Sequence, residues 1–280
     1  MCSSDLERLD AILSRYSRVA IAFSGGVDST LLLETVYRMK NLEILAVIIK
    51  TPLNPHKETE AAVDFIRRRN INFILKETDI LSEDKISSNP PDRCYHCKRF
   101  IFTLIRKTAE DKDYYDILDG THSEDLNDYR PGLQALNELN IISPLKDAGF
   151  RKTHIRELAK YYGLNNWSLE ASPCLATRIP FGTAISKENL RKVESGEIFL
   201  TGNGLTGVRL RIHGNIARIE IPADKFHLLC DKTLRGHITD YIKSLGFDFV
   251  VLDLEGYRTG SMNIYRSEER RVGKECRSRW

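Results

Sequence analysis

Short apolar segments alternate with charged, helix-like segments along the first two thirds of the chain. Residues 19–23 form an apolar run rich in small and β-branched side chains, and residues 43–50 repeat that pattern. Continuous apolar runs of this length are typical of strands buried on both faces of a parallel sheet. Three more strands are predicted, at 72–79, 115–119 and 141–145, and three helices, at 55–69, after Cys94 and at 152–162. This alternation predicts an α/β fold with a doubly wound parallel sheet.

The pattern changes at about residue 185. A charged helix at 186–200 precedes two short strands, at 207–213 and 217–221, and a long helix then runs to Lys243 before a last apolar strand, FDFVVLDL. Alternation along the short strands predicts a small α+β unit with antiparallel pairing. We therefore expect a nucleotide-binding domain over 1–184 and a smaller domain for substrate binding or oligomerisation over 185–265.

The last fifteen residues, RSEERRVGKECRSRW, follow neither pattern. They match the in-frame translation of a common sequencing-library adapter, and we expect 266–280 to be non-native. They carry six Lys or Arg against three Asp or Glu, which accounts for the whole formal charge of +3. Residues 1–265 are therefore neutral, which argues against the overall basic surface of a nucleic-acid binder.

No apolar run approaches the ~20 residues of a membrane span, and the N-terminus MCSSDLERLD lacks an apolar signal core. We therefore expect a cytoplasmic protein with no membrane partner.

The segment SGGVDST, residues 24–30, joins the first strand to a helix. A glycine-rich turn before a helix presents unpaired N–H groups to an anion. A tight strand-to-helix turn that binds no ligand would also need the glycines. Ser24, Ser29 and Asp28 add two hydroxyls and a carboxylate, which suit a polyphosphate with Mg²⁺. The Walker pattern and GxGxxG are both absent.

A second polar stretch, DGTHSEDLNDYRPG, follows the fourth predicted strand. Ligands of doubly wound sheets lie at the carboxyl ends of the strands, where this stretch and SGGVDST both fall. The stretch DGTHSEDLNDYRPG could be a solvated loop or one wall of the ligand-binding site.

Three cysteines could share one site: Cys94 and Cys97 in CYHC, and Cys174 in SPCLATRIPFG. Cys2 is terminal, Cys230 lies in an apolar segment and Cys276 lies in the tail. An iron–sulfur cluster usually takes four thiolates, so three cysteines would leave one iron open. Ligand chemistry favours a cluster over zinc, which would need a fourth ligand such as His96, and over no metal.

Two arginines, Arg209 and Arg211, alternate with apolar residues and so project from one strand face. That face could be an ordinary solvent face. Alternatively, the two guanidiniums could bind a substrate phosphate.

The motifs together resemble a known family. SGGVDST resembles the pyrophosphate loop of the ATP-pyrophosphatase (PP-loop) superfamily, which cleaves ATP between its α and β phosphates. RCYHCK, GTHSEDLNDYRPG, SPCLATRIPFG, GVRLRIHG and GYRTGSMN, in this order, resemble the LarE family over about residues 5–263. LarE enzymes are sulfur transferases that help build the nickel-pincer nucleotide cofactor.

This resemblance implies a two-stage reaction. A carboxylate of pyridinium-3,5-dicarboxylate mononucleotide is adenylated by ATP, and the acyl-adenylate then accepts sulfur to become a thiocarboxylate. In one branch of the family a cysteine matching Cys174 gives up its own sulfur. The CxxC motif resembles the other branch, in which three cysteines hold a 4Fe-4S cluster.

The resemblance also implies a role for each matching residue. ATP and Mg²⁺ would be held by Ser24, Gly25, Gly26, Asp28, Ser29 and Thr30. Catalysis would use Asp28 with Cys94, Cys97 and Cys174, and the same three cysteines would ligate the cluster. The substrate would be bound by Arg178, Arg209, Arg211, Glu197 and Glu220. Sulfide or another sulfur donor would be a partner, and the chain would form a homo-oligomer.

Three alternatives compete with this interpretation. A tRNA thiolase uses the same loop and often three cysteines, but usually carries a basic surface and an RNA-binding module. An ammonia-using synthetase of the NAD or GMP type does not need three convergent cysteines. A non-catalytic nucleotide-binding regulator would not need Asp28 and the complete SGGVDS.

Overall fold

The computed structural model describes residues 3–127, 131–169 and 173–258; the predicted non-native tail lies outside these ranges. The strands within them are β1 (Arg18–Ala22), β2 (Glu43–Lys50), β3 (Asn72–Glu77), β4 (Ile117–Leu118), β5 (Arg209–His213), β6 (Ile216–Glu220) and β7 (Phe249–Leu252). The α-helices are α1 (Ser3–Leu13), α2 (Val27–Met39), α3 (His56–Arg68), α4 (Asp84–Ser87), α5 (Arg93–Glu110), α6 (Pro131–Glu138), α7 (Pro144–Asp147), α8 (Lys152–Tyr161), α9 (Lys187–Gly202) and α10 (Lys232–Ser244). Short 3₁₀ segments lie at Ile80–Ser82, Ser123–Asn127, Leu175–Arg178 and Ala223–Cys230.

The chain divides into two compact bodies. The first comprises the chain up to Ile80 and the segment from Asp92 to the residue before Pro173. The second comprises Leu81–Pro91 and the chain from Pro173 onward. The segment 81–91 belongs to the second body because Asn89 donates through its Nδ2 to the carbonyls of Pro180 and Thr183, at 2.8 and 3.1 Å.

The first body is built on a parallel sheet in the order β3-β2-β1-β4. β1 pairs with β2 on one side, from Arg18 opposite Glu43, and with β4 on the other, from Ala20 opposite Ile117. All four strands point the same way, so their carboxyl ends meet at one edge. The predicted α/β class with a doubly wound parallel sheet is therefore confirmed.

Helices cover both faces of this sheet because successive side chains of a strand point to opposite faces. Val19 and Ile21 of β1 pack into one apolar core with residues of α2, α3 and α8. Ala20 packs into a second core with Phe102 and Ile105 of α5. The near-continuous apolar strands of the sequence are thus buried on both sides.

The fifth predicted strand, at 141–145, is wrong. Ile142 makes only an isolated parallel bridge to Leu118. Pro144 then begins α7, since proline is pre-organised for the first turn of a helix and cannot donate to a strand ladder. Two backbone hydrogen bonds form this bridge, from the Ile142 N–H to the Ile117 carbonyl and from the Asp119 N–H to the Ile142 carbonyl, each at 2.9 Å.

The second body contains a three-stranded sheet in the order β5-β6-β7. β5 and β6 are antiparallel and are joined by Gly214 and Asn215. β7 pairs with β6 in parallel, whereas we expected only antiparallel pairing. The connection through α10 explains the difference, because a helical crossover returns the chain in the same direction.

Among the described helices, none combines the length and the apolar character needed to cross a lipid bilayer.

Candidate functional site

The loop between β1 and α2 carries the first part of the site. Gly25 has φ +80°, and a Cβ there would lie 2.8 Å from the Cβ of Ala62, so only glycine fits. Gly26 is the N-cap of α2 and offers no side chain to cap it. The first N–H groups of α2 are therefore available to an anion.

A cavity of about 300 Å³ opens at this loop, at the carboxyl edge of the sheet. Its polar wall includes Ser24, Gly26, Asp28 and Ser29. Its apolar wall is formed by the ends of β1 and β2 and by one face of α5: Ala22, Phe23, Val47, Ile48, Ile49, Ile101, Phe102 and Ile105. A polar end beside an apolar chamber suits a nucleotide, with phosphates at the loop and a base on the apolar wall.

The chain that follows β4 forms a second polar wall, through Asp119, Thr121 and Asp125. Asp119 accepts hydrogen bonds from the hydroxyls of Ser143, at 2.6 Å, and Thr121. Gly120 lies against the loop, since a Cβ there would be 2.8 Å from the backbone nitrogen of Ser29. The predicted meeting of the two polar stretches at one edge is confirmed for the residues up to Asp125; residues 128–130 of the second stretch lie outside the described ranges.

Asp28 is held by a lysine that the sequence analysis did not identify. The Nζ of Lys152, the first residue of α8, lies 2.5 and 2.7 Å from the two carboxylate oxygens of Asp28. Both side chains are just over one-quarter exposed, so solvent only partly screens the pair. The carboxylate that Asp28 presents to the cavity is therefore paired with a lysine from the start of α8.

The hydroxyls of the loop have different surroundings. The Oγ atoms of Ser24 and Ser29 lie 3.1 Å apart, and Ser29 donates to the Gly26 carbonyl at 3.1 Å. Thr30 is buried, and its hydroxyl donates to the Gly25 carbonyl at 3.3 Å. Gly25 and Thr30 line a separate cavity of about 490 Å³, behind the loop, rather than the one that contains Asp28.

Cys94 and Cys97 lie in the first turn of α5, three positions apart and so on one face. Cys94 is exposed, Cys97 is half-buried, and neither is in a disulfide. The Nη2 of Arg93 lies 3.9 Å from the Sγ of Cys94. This helix turn supplies two thiol groups to one side of the first body.

Cys174, in the second body, is half-buried and precedes a 3₁₀ turn that is held by a buried arginine. Arg178 is only 1% exposed and donates twice to Glu197, at 2.9 and 3.0 Å. Its Nη1 donates to the carbonyls of Pro173 and Cys174, at 2.6 and 3.2 Å. This bidentate pair fixes the backbone on both sides of the Cys174 side chain.

A second buried pair supports the same turn. Arg211 donates through Nε and Nη2 to Glu220, at 3.1 and 2.8 Å, and through Nη1 to the Thr177 carbonyl at 2.9 Å. Glu220 is fully buried and also accepts from Arg218 at 2.8 Å. Arg209, also buried, lies with its guanidinium 5.1 Å from the ring centre of Tyr257.

These positions decide one question that the sequence left open, since Arg209 and Arg211 do not form a solvent face. The turn of Cys174 is surrounded by Arg178, Arg211, Glu197 and Glu220.

Burial, and then the charge of Arg218, lower the pKa of the neighbouring His213, which keeps that imidazole neutral at neutral pH.

Sequence reasoning missed Lys152, which pairs with Asp28, and Lys98, which lines the cavity. Lys152 belongs to no motif with recognisable spacing, whereas Lys98 is the last residue of RCYHCK, a motif in which only the cysteines were given a role. Topology could have indicated Lys152, because the chain leaves the parallel Leu118–Ile142 bridge at the carboxyl edge of the sheet before it reaches α8. Lys98 is one turn beyond Cys94, so its position follows from the helical period of α5.

In the described ranges, no three His, Cys, Asp or Glu side chains are gathered as a resident metal ion would require. Mg²⁺ needs less than this, since it is usually held by one or two carboxylates together with substrate phosphates. The oxygen donors of Asp28 and its neighbours in the cavity fit that ion. Thiolates are suitable ligands for iron or zinc. Cys94 and Cys97 supply two of the four ligands that such a site usually takes.

Comparison with known proteins shows relatives along nearly the whole chain. The chain is 37% identical over 259 residues to the pyridinium-3,5-bisthiocarboxylic acid mononucleotide synthase of Lactiplantibacillus plantarum, covering 91% of this chain and 92% of the relative. It is 34% identical over 263 residues to an uncharacterized protein of Synechocystis sp., covering 94% and 98%. No protein-family profile matches the chain.

A more distant similarity covers about half of the chain. One of the subunits of the glutamine-hydrolysing GMP synthase of Archaeoglobus fulgidus is 21% identical over 166 residues, which are 56% of this chain and 54% of the relative. This likeness agrees with the parallel sheet and loop of the first body and indicates the PP-loop fold.

The buried pair beside Cys174 predicts a large stability difference. Glu197→Ala leaves the Arg178 guanidinium buried without its carboxylate, and we expect the free energy of unfolding to fall by about 3–5 kcal/mol in a urea titration. The alkylation rate of Cys174 should rise, because its backbone loses its anchor.

The matched control is Glu188→Ala, which removes an exposed carboxylate that pairs with Lys192 on the same helix. We expect no measurable change there. Equal effects of the two substitutions would contradict the structural role assigned to the Arg178–Glu197 pair.

Proposed function

The chain belongs to the LarE family, the family of pyridinium-3,5-bisthiocarboxylic acid mononucleotide synthase, and from this we propose that it is an ATP-dependent sulfurtransferase. The substrate is a carboxylate of pyridinium-3,5-dicarboxylate mononucleotide. An oxygen of that carboxylate attacks the α-phosphorus of ATP, and pyrophosphate leaves. A sulfur nucleophile then attacks the acyl-adenylate, and AMP leaves as the thiocarboxylate forms.

The observation that carries this proposal is the cavity lined by the SGGVDS loop and its Asp28 carboxylate, which lies 2.5 Å from the Lys152 Nζ. The N–H groups at the start of α2 and the hydroxyls of Ser24 and Ser29 can hold the leaving pyrophosphate. Lys152 brings a positive charge to the same edge, where it can offset the charge that develops on that group. The apolar face of α5 can receive the adenine.

Asp28 is the residue that would hold Mg²⁺, together with the phosphate oxygens. The ion, when bound, would supply Lewis-acid activation of the α-phosphate and neutralise phosphate charge. In the protein without ligand, the ammonium group of Lys152 balances the charge of Asp28.

We propose that Cys94, Cys97 and Cys174 carry the sulfur chemistry and ligate a 4Fe-4S cluster. The proposal is supported by three cysteines outside disulfides and by the shared face of the CxxC turn. A bound cluster would supply sulfide to the activated carboxylate. In this scheme Arg178 and Arg211 hold the turn of Cys174. Arg209 binds the substrate phosphate.

The experiment supplies the purified protein with MgATP, the dicarboxylate mononucleotide and sulfide. We expect AMP, pyrophosphate and a product in which sulfur replaces a carboxylate oxygen, detected by mass spectrometry. ADP and phosphate as products would contradict the proposal. An amide formed when ammonia replaces sulfide would favour a synthetase of the GMP type.

Asp28→Asn tests the assigned metal ligand in the same assay. We expect pyrophosphate release to fall by a factor of at least about 10², because the amide removes the charge that Mg²⁺ requires. Asp64→Asn, on the exposed side of α3, is the matched control and should keep the wild-type rate. Wild-type release by Asp28→Asn would refute this role.

The cysteines separate two modes of sulfur delivery. In the cluster mode, replacing Cys94, Cys97 or Cys174 by Ala should remove iron and colour from protein purified without oxygen and stop sulfur transfer. Pyrophosphate release should persist, because adenylation uses the loop and Asp28. With iron and sulfide supplied, the wild type should turn over repeatedly.

The sacrificial mode gives different results. Cys174 would lose the mass of H₂S after a single turnover and become dehydroalanine. That loss, together with active Cys94→Ala and Cys97→Ala variants, would exclude the cluster.

A further inference from the structure

The rear of the phosphate loop is held by a single side chain from a distant segment. Asn166 lies in the turn after α8, and its Nδ2 donates to the Gly25 carbonyl at 3.1 Å and to the Thr30 hydroxyl at 3.0 Å. The Thr30 hydroxyl in turn donates to the same Gly25 carbonyl at 3.3 Å. Two donors thus converge on one carbonyl oxygen of the loop.

This arrangement fixes the direction of the peptide between Gly25 and Gly26. In a trans peptide the C=O and N–H groups point in opposite directions. The Gly25 carbonyl faces the rear cavity, which Asn166 also lines, so the Gly26 N–H faces the front cavity with Ser24 and Asp28. The Gly26 N–H has only a long contact, 3.4 Å, to the Ser24 Oγ within the loop.

A glycine pair is poorly suited to keep that direction on its own. Glycine populates positive and negative φ almost equally, so the Gly25–Gly26 peptide can rotate at little steric cost. A rotated peptide would present its carbonyl oxygen to the front cavity and repel an anion there. Asn166 and Thr30 can bond the carbonyl only in the unrotated state.

From these contacts we propose that Asn166 is a positioning residue for phosphate binding. It selects the peptide orientation that turns the loop into an anion site, and it does so from behind, without touching the nucleotide. The proposal rests on the proposed function, namely that the loop binds the phosphates of ATP.

The chemistry of the side chain is specific. The Gly25 carbonyl requires a donor, which determines that the Nδ2 of Asn166 faces it. The Oδ1 of Asn166 is buried and has no hydrogen-bond partner within the described residues. An aspartate of the same size would place an acceptor against the carbonyl oxygen and would favour the rotated peptide.

The test measures binding of magnesium pyrophosphate and of MgATP by calorimetry, with Asn166→Ala, Asn166→Asp and Asn165→Ala. We expect Asn166→Ala to weaken both ligands by about tenfold, the effect of one to two lost hydrogen bonds, and Asn166→Asp to weaken them more. Asn165 is exposed beside it, and Asn165→Ala should bind as the wild type does.

Steady-state kinetics distinguish positioning from general damage. If only the fraction of correctly oriented loops falls, the KM for ATP rises while kcat at saturating ATP is kept. Asn166→Asp retains the size of the side chain, so it reports on orientation even if the alanine variant folds poorly.

The outcomes distinguish a failure of the proposed function from a failure of the role proposed for Asn166. A wild type that binds neither ligand overturns the proposed function, and this inference with it. A wild type that binds, with Asn166→Ala and Asn166→Asp binding equally well, overturns the inference alone. A loss of kcat without a change in KM, or an equal loss in Asn165→Ala, also overturns it.

Discussion

Parallel pairing of β1 with β2 and β4 is the constraint on which the candidate site depends. Because all strands of the sheet run the same way, every loop that leaves a strand does so at one edge. The SGG turn leaves β1, and Asp119–Thr121 leave β4, its hydrogen-bonded neighbour. Gly120 completes the approach, since any larger residue would collide with the start of α2.

Charge is balanced differently in the two bodies. In the first, Asp28 and Lys152 are partly open to solvent, so the pair can be exchanged for a cation and phosphates at moderate cost. In the second, Arg178 with Glu197 and Arg211 with Glu220 are buried, and breaking either pair leaves an uncompensated charge. We therefore propose that the first pair exchanges with ligands and that the buried pairs hold the Cys174 turn rigid.

The sequence predicted best what depends on local pattern. β2 spans the predicted residues 43–50 because an uninterrupted apolar run admits few alternatives, and the loop lies at the expected edge. The prediction of a fifth strand is wrong because Pro144 begins a helix there. The apolar run around Pro144 obscures this local signal. The pairing of Arg211 with Glu220 depends on strand register, and that of Asp28 with Lys152 joins residues 124 positions apart. Neither contact has a periodicity that a sequence could reveal.

Adenylation of the substrate carboxylate is best tested by exchange of labelled pyrophosphate into ATP, because exchange reports the first bond that forms. We expect exchange only when the protein, Mg²⁺ and pyridinium-3,5-dicarboxylate mononucleotide are all present, and no dependence on sulfide or on the cysteines. Exchange without the carboxylate substrate, or none under any of these conditions, would contradict adenylation of that carboxylate at the SGGVDS loop.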